Sequence, residues 1–301
     1  MRMPHVAAAS RLIASPVFRH GRAVASPAQQ RCMTIRHNHL QGNGPAGLIR
    51  YDLAVQLQEE HRRSMLDWLR LPQQDRGDPP VENVCFSFIT EPVFSFGRRQ
   101  DFPPPEEMEK KLRATLATRL SLKGFEPMQV LFDPTLARSL RGGLTTYHGP
   151  GQLVLWPILC LNKPFTEPRG TRSYVTLLQH VTERFMLEYF NIETRTIPGE
   201  PGIWIDEHGL RPRKVAALGV HQRRYVTGFG VAINVDIPVR GGPEMNPWAR
   251  FVPCGIHDKE VTSIAAETGL KDESLDYEKL AAQWVGILQE SINEEMLHGS
   301  P

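Results

Sequence analysis

An α+β domain, a mixed β-sheet covered by helices, is the fold class the sequence predicts, and three observations predict it. Apolar β-prone runs and amphipathic helical segments are intermixed along the chain rather than strictly alternating. Four β-prone segments follow one another between residues 192 and 236 with short breaks, as hairpins do. Hydrophobic residues make up 41% and charged residues 23% of the 301, an ordinary globular composition with length for one large domain.

The first stretch does not belong to that pattern. Arg2, Arg11, Arg19, Arg22, Arg31, Arg36 and Arg50 occur with no lysine and no acidic residue before Asp52. An Arg-rich, Ser-rich, acid-free leader describes a mitochondrial transit peptide, so residues 1–36 are set apart, with cleavage between Arg31 and Thr34 and a matrix location expected. Residues 47–301 are expected to form a single catalytic domain. YDLAVQLQEEHRRSMLDWLR reads as an amphipathic helix opened by Asp52, with Leu53, Leu57, Met65, Leu66 and Leu69 for the core. LPQQDRGDPP is a polar loop and VCFSFIT a buried strand. FPPPEEMEKKLRATLATRL reads as one Pro-started helix, acids first and bases later, which suits the helix dipole. GQLVLWPILCLN is a strand that Pro157 should bend or confine to an edge. RSYVTLLQHVTERFMLEYF carries Tyr174, Leu178, Val181 and Phe185 on one helical stripe. IETRTI, GIWID, KVAALGVHQ and YVTGFGVAINVDI are the consecutive strands, and DYEKLAAQWVGILQESINEEM is the closing helix.

Several classes are excluded at this level. A net charge of +2 gives no footprint for nucleic acid. No apolar run reaches the 18 or so residues of a membrane span. Cys32, Cys85, Cys160 and Cys254 are far apart with no CxxC, which fits a reducing compartment. His148, Cys254 and His257 lack compact metal-ligand spacing, so neither a metal nor another cofactor is expected.

Three segments are candidates for chemistry. RGGLTTYHGPGQ, 141–152, places four glycines and a proline among Arg141, Thr145, Thr146, Tyr147, His148 and Gln152. So much backbone freedom between two strands suits close approach of a ligand, although the loop matches neither a P-loop nor GxGxxG. Lys214 begins an apolar strand, where it either snorkels to water or places a cation beside a thiol. Cys254 stands between Pro253, which fixes φ, and Gly255, which frees it. A neighbouring cation draws a thiol from about 8.5 towards neutrality, and the thiolate is the nucleophile.

RGGLTTYHGPGQLVLWP, KVAALGV, TGFGVAINV and PCGIHDKEVTSI, in this order, with LIRYDLAVQLQE and EPVFSFGRR, resemble the octanoyl (lipoyl) transferase family in its mitochondrial form, over roughly residues 47–265. The resemblance implies the biotin/lipoate protein ligase-like fold. It implies Cys254 as acyl-thioester nucleophile and Lys214 as the residue that lowers its pKa. It implies a substrate site lined by Arg141, Gly142, Gly143, Leu144, Thr145, Thr146, Tyr147 and His148, continued by Ala217, Leu218, Gly219, Gly230, Val231 and Ala232. Oxyanion donors are expected at Gly255 or in the 141–151 loop. The implied donor is octanoyl-acyl carrier protein. The implied acceptors are apo lipoyl domains, those of the glycine cleavage H protein and of 2-oxoacid dehydrogenase E2 subunits, met by a monomer. The chain departs from the family at Phe229, where histidine is usual, and at Ala217, where serine is; His148 or His221 is expected to supply the missing polar contact. The alternative on the same fold is an ATP-dependent lipoate-protein ligase, which makes an adenylate and has no use for Cys254.

Overall fold

The computed structural model describes residues 32–120, 128–161, 170–208, 210–251, 259–270 and 275–298. Most of the expected leader, and Cys254, Gly255 and His257, lie outside the described residues. In chain order the elements are β1 (Arg36–His39), α1 (Tyr51–Trp68), β2 (Val84–Phe88), β3 (Val93–Phe96), α2 (Glu106–Arg113), β4 (Leu116–Leu120), β5 (Met128–Phe132), β6 (Thr135–Arg138), β7 (Thr145–His148) and β8 (Gln152–Ile158). There follow α3 (Thr171–Phe190), β9 (Arg195–Ile197), β10 (Glu200–Ile205), β11 (Arg213–Arg223), β12 (Val226–Asn234), β13 (Glu260–Val261), α4 (Ile264–Thr268) and α5 (Tyr277–His298).

The main sheet runs β1-β2-β8-β12-β11-β10-β9, parallel at β1–β2 and antiparallel elsewhere, and β13 pairs in parallel with β11. Strand alternation divides the apolar side chains of β8 between two cores. Leu153 and Leu155 join Tyr174, Phe185, Trp284 and Leu288 of α3 and α5 on one face. Val154, Trp156 and Ile158 join Ala54 and Met65 of α1 on the other. The fold is therefore the expected mixed sheet with helices on both faces. Two smaller units, the sheet β6-β3-β7 and the hairpin β4–β5, sit beside it in sequence and enclose a third core around Phe94, Phe96, Leu116 and Tyr147.

Four expectations are corrected. Pro157 lies inside the sheet, not at an edge: β8 pairs with β2 on one side and β12 on the other. The proline is tolerated because the β8–β12 ladder lapses there, between Leu155↔Val231 and the bridge Cys160↔Val226. Thr227 repairs the gap, its hydroxyl donating to Pro157 O at 2.8 Å and accepting from Leu159 N at 2.9 Å. In the same gap Phe229 takes a left-handed φ of 56°, unusual for a bulky residue.

That gap also explains the second correction, the core face of α1. Of the expected residues Met65 and Leu69 are buried and Leu57 and Leu66 pack against the same core, while Leu53 is exposed, and Tyr51, Ala54, Gln58 and Arg62 are buried as well. Gln58 and Arg62 are inside because β12 offers groups released from the ladder. Gln58 Oε1 accepts from Phe229 N, and Arg62 Nε donates to Thr227 O at 3.1 Å. Gly228 leaves room for the guanidinium, since a Cβ there would lie 2.7 Å from Arg62 Cδ.

Third, the segment 102–120 is not one helix. It ends at Arg113, where Arg250 donates to the carbonyls of Leu112, Ala114 and Thr115, and LATRL continues as a strand with Leu116 and Leu120 buried. Fourth, ordered chain precedes Gly47. Met33 and Ile35 are buried, their N–H groups donating to Asn293 Oδ1 and Gln289 Oε1 of α5, both at 2.8 Å, before β1 joins the sheet.

Gly230 packs against the lapsed ladder: a Cβ there would sit 2.3 Å from Leu155 O and 2.8 Å from Pro157 Cδ. Gly230→Ala should therefore destabilise the fold by about 1–3 kcal/mol, roughly 3–10 °C in Tm. Gly286→Ala, on an open face of α5, should stabilise it by about 0.5–1 kcal/mol. Thermal melts of the two variants check the pair; equal shifts would refute this account of the sheet centre.

Candidate active site

A cleft opens on the α1 side of the sheet where the ladder lapses. Its floor is Trp156, Phe229, Gly230, Val231 and Ala232; its walls are Tyr51, the 141–148 loop, and Ala217, Leu218 and Gly219 of β11, with Pro201 and Lys214 at one end. Apolar groups predominate. The free space is about 50 Å³.

Strand alternation decides which loop residues reach the cleft. Thr146 and His148 face it, with Arg141, Gly143 and Leu144. Thr145 and Tyr147 are not among its lining residues. Tyr147 packs instead against Phe94 and Trp248, at ring separations of 5.2 and 5.9 Å, where burial pushes its phenol up. Gly142 is likewise outside the cleft, and its N–H is committed to Val220 O at 3.1 Å, so it is not an oxyanion donor here.

Arg141 is held rather than mobile. Its Nη2 donates to Ser95 O at 2.6 Å and its Nη1 to Gly142 O at 3.0 Å. Gly219 permits this, since a Cβ there would lie 2.8 Å from Arg141 Cδ. His148 is buried, stacked on Tyr51 at 5.6 Å, and bonded through Nδ1 to Gln152 Oε1 at 2.7 Å. Burial first, and the Arg141 charge second, lower its pKa to about 4, with the Gln152 bond opposing them. The ring is neutral at ordinary pH.

Lys214 is 8% exposed and does not snorkel. Its position follows from the sheet: β12 leaves β11 after Ala216↔Ile233, and β13 takes the vacated side, so Lys214 is paired to Trp204 of β10 and Val261 of β13. The ammonium rests 4.4 Å from the Trp204 ring and donates to Pro201 O at 3.3 Å. Lys259 approaches the same ring at 5.3 Å. Next to Lys214, Arg213 grips Glu267 with two 2.9 Å hydrogen bonds, which hold the Glu267 carboxyl below its usual range and tie β11 to α4.

Of the residues implied by resemblance, the cleft gathers Arg141, Gly143, Leu144, Thr146, His148, Lys214, Ala217, Leu218, Gly219, Gly230, Val231 and Ala232. His221 does not join them. Tyr51, Trp156 and Pro201 line the cleft without having been singled out, and so does Phe229, noted only as a departure from the family. Period-2 alternation from Gln152 through Val154 points to Trp156; no sequence signal points to Tyr51 or Pro201. Among the described residues no three His, Cys, Asp or Glu side chains converge as metal ligands.

The family model of the lipoyl protein ligase A/B catalytic domain matches residues 70–288. An octanoyltransferase of Christiangramia forsetii is 30% identical over 81% of this chain and 93% of its own length. The chain belongs to the octanoyltransferase family. Another member, the mitochondrial N-octanoyltransferase LIPT2 of Danio rerio, named for octanoyl-acyl-carrier-protein, is 32% identical over 73% of this chain and 80% of its own. Among solved structures, a putative lipoate protein ligase of T. acidophilum with bound lipoic acid superposes with a TM-score of 0.52 at 13% identity, covering 89% of this chain and 94% of that one. P. falciparum LipL1 gives 0.50 at 12% identity, covering 87% of this chain and 62% of that one. These two likenesses establish the lipoate protein ligase-like fold. Family membership makes the chain an acyltransferase enzyme.

The neutral His148 has a consequence for stability. Its pKa is about 4 in the fold and 6.5 outside it, so between these values the unfolded chain binds a proton that the native ring refuses. Native stability should fall as pH drops from 6.5 towards 4, by about 3 kcal/mol from this group. The lowered His37 and His39 act in the same direction. Urea unfolding at stepped pH should show a shallower acid loss in His148→Gln than in the wild type; parallel curves would contradict the assignment.

Proposed function

We propose that the chain transfers an octanoyl group from octanoyl-acyl carrier protein to a lysine of apo lipoyl domains, through an acyl-cysteine at Cys254. The observation that carries this is a buried ammonium, Lys214, at the end of an apolar cleft built by the glycine-rich loop and β11–β12. Cys254 follows Phe251 and precedes Lys259 in the chain, and Lys259 shares the Trp204 ring with Lys214. An ammonium beside a thiol favours the thiolate.

In the first step the Cys254 thiolate attacks the donor's thioester carbonyl, forming a new thioester and releasing the carrier's thiolate, which takes up a proton. In the second, the neutral amine of the acceptor lysine attacks that thioester. The C–S bond breaks, the amide forms, the nitrogen loses its proton and the Cys254 thiolate returns. Thioester to amide runs downhill, so ATP is not needed, and splitting the exchange keeps each step short. Buried apolar contact favours the alkyl chain by about 0.8 kcal/mol per CH₂. The acceptors are the lipoyl domains of the glycine cleavage H protein and of 2-oxoacid dehydrogenase E2 subunits. The acid-free leader in residues 1–36 and the mitochondrial relative support action in the matrix, and a monomer meeting two transient protein partners suits the chemistry.

Intact-protein mass after mixing residues 32–301 with octanoyl-acyl carrier protein, without ATP, is the test. One hydroxylamine-labile octanoyl adduct is expected, absent from Cys254→Ala and formed at least about tenfold more slowly by Lys214→Ala, which loses the cation that favours thiolate. Cys254→Ser transferring at the wild-type rate would overturn the proposal. So would transfer that appears only with ATP and free octanoate, the behaviour of a ligase.

A further inference from the structure

Behind His148 runs a line of buried amides whose orientation can be deduced from its far end. Thr262 O, a carbonyl, can only accept, so the atom bonded to it at 2.9 Å is the Asn234 amide nitrogen. The other end of that side chain, Asn234 Oδ1, must then accept, and it does so from Gln152 Nε2 at 2.9 Å. Gln152 Nε2 also donates to a second carbonyl, Tyr147 O, at 3.3 Å. Gln152 Oε1 is therefore the atom facing His148 Nδ1 at 2.7 Å, and an amide oxygen requires a proton on that nitrogen. Gln152 and Asn234 are 0% and 3% exposed, so water does not compete for these bonds.

The other ring nitrogen is left with a lone pair. Among the described residues no hydrogen bond reaches His148 Nε2, nor is it one of the buried side-chain atoms without a partner. His148 lines the cleft, so Nε2 is its open end.

We propose that Gln152 and Asn234 are positioning residues which lock His148 as the Nδ1–H tautomer, so that Nε2 accepts a hydrogen bond from the amine of the incoming lysine and orients its lone pair towards the acyl group. The identity of that donor rests on the acyl transfer proposed above; the tautomer does not. The ring is too weakly basic to store the proton, which suits an orienting acceptor rather than a general base. Among the described residues the charged and titratable groups around the ring are Arg141 from the loop, Tyr51 from α1 and, across the cleft, Lys214. With Phe229 in the position of a usual histidine, His148 is the one imidazole lining the cleft among the described residues.

The test is ¹⁵N NMR of the imidazoles in the unliganded wild-type chain, with His148 identified by its loss in His148→Gln. The expected spectrum has the proton on Nδ1, a bare Nε2 and no titration between pH 5.5 and 8. Gln152→Glu puts a carboxylate against Nδ1 and should bring His148 into that window. Its acceptor step should then slow by about tenfold one pH unit below the new pKa and recover above it, while the wild type shows no such inflection. A proton on Nε2 in the wild type, or a Gln152→Glu protein that titrates and transfers like the wild type, would overturn the proposal. If no octanoyl transfer occurs at all, the acyl-transfer reading fails, and the wild-type spectrum still decides the tautomer without it.

Discussion

A single absent hydrogen-bond donor organises the centre of this molecule. Pro157 has no N–H, and it stands in a strand with neighbours on both sides. The sheet answers by letting β12 part from β8 for a few residues, and every feature of that gap is supplied from elsewhere. Thr227 bridges the strands with its hydroxyl, α1 contributes Gln58 and Arg62, and Gly228 and Gly230 clear the space. The gap forms the floor of the cleft. A continuous ladder would present flat sheet at the point where the depression lies.

The second organising feature is a change of partners along β11. Where β12 departs, β13 arrives, and Lys214 falls between Trp204 and Val261 at the seam. Burying a lysine is costly unless its ammonium finds polar and aromatic contacts, and here Pro201 O and the Trp204 ring provide them. The Arg213–Glu267 pair beside it fixes the strand to α4. The Lys214 end of the cleft therefore rests on paired strands, and the other end on a loop whose arginine is held by backbone carbonyls.

The sequence was most informative where periodicity and family motifs coincide. The α3 stripe, the hairpins from 195 to 234 and the gathering of the glycine-rich loop with β11 and β12 were all legible. Long-range compensation was not. Nothing near Gln58 or Arg62 announces that they lie inside, because the groups they satisfy are about 170 residues away, released by a proline in a third element. Tyr147 and Thr145 were credited to the site because the motif is contiguous, whereas a strand sends alternate residues to opposite faces. The end of α2 was missed because its carbonyls are taken up by Arg250, more than 130 residues later.

The same distance in sequence governs how the fold can be completed. Met33 and Ile35 hang by their backbone N–H groups from two side chains of α5, 260 and 254 residues further on. A chain made from its N-terminus holds the first strand long before those amide oxygens exist. Closing a loop of that size is entropically unfavourable until the sheet and α3 have already brought the ends together. The first strand and the last helix thus form one joint, and it can be fastened only after the whole polypeptide is available.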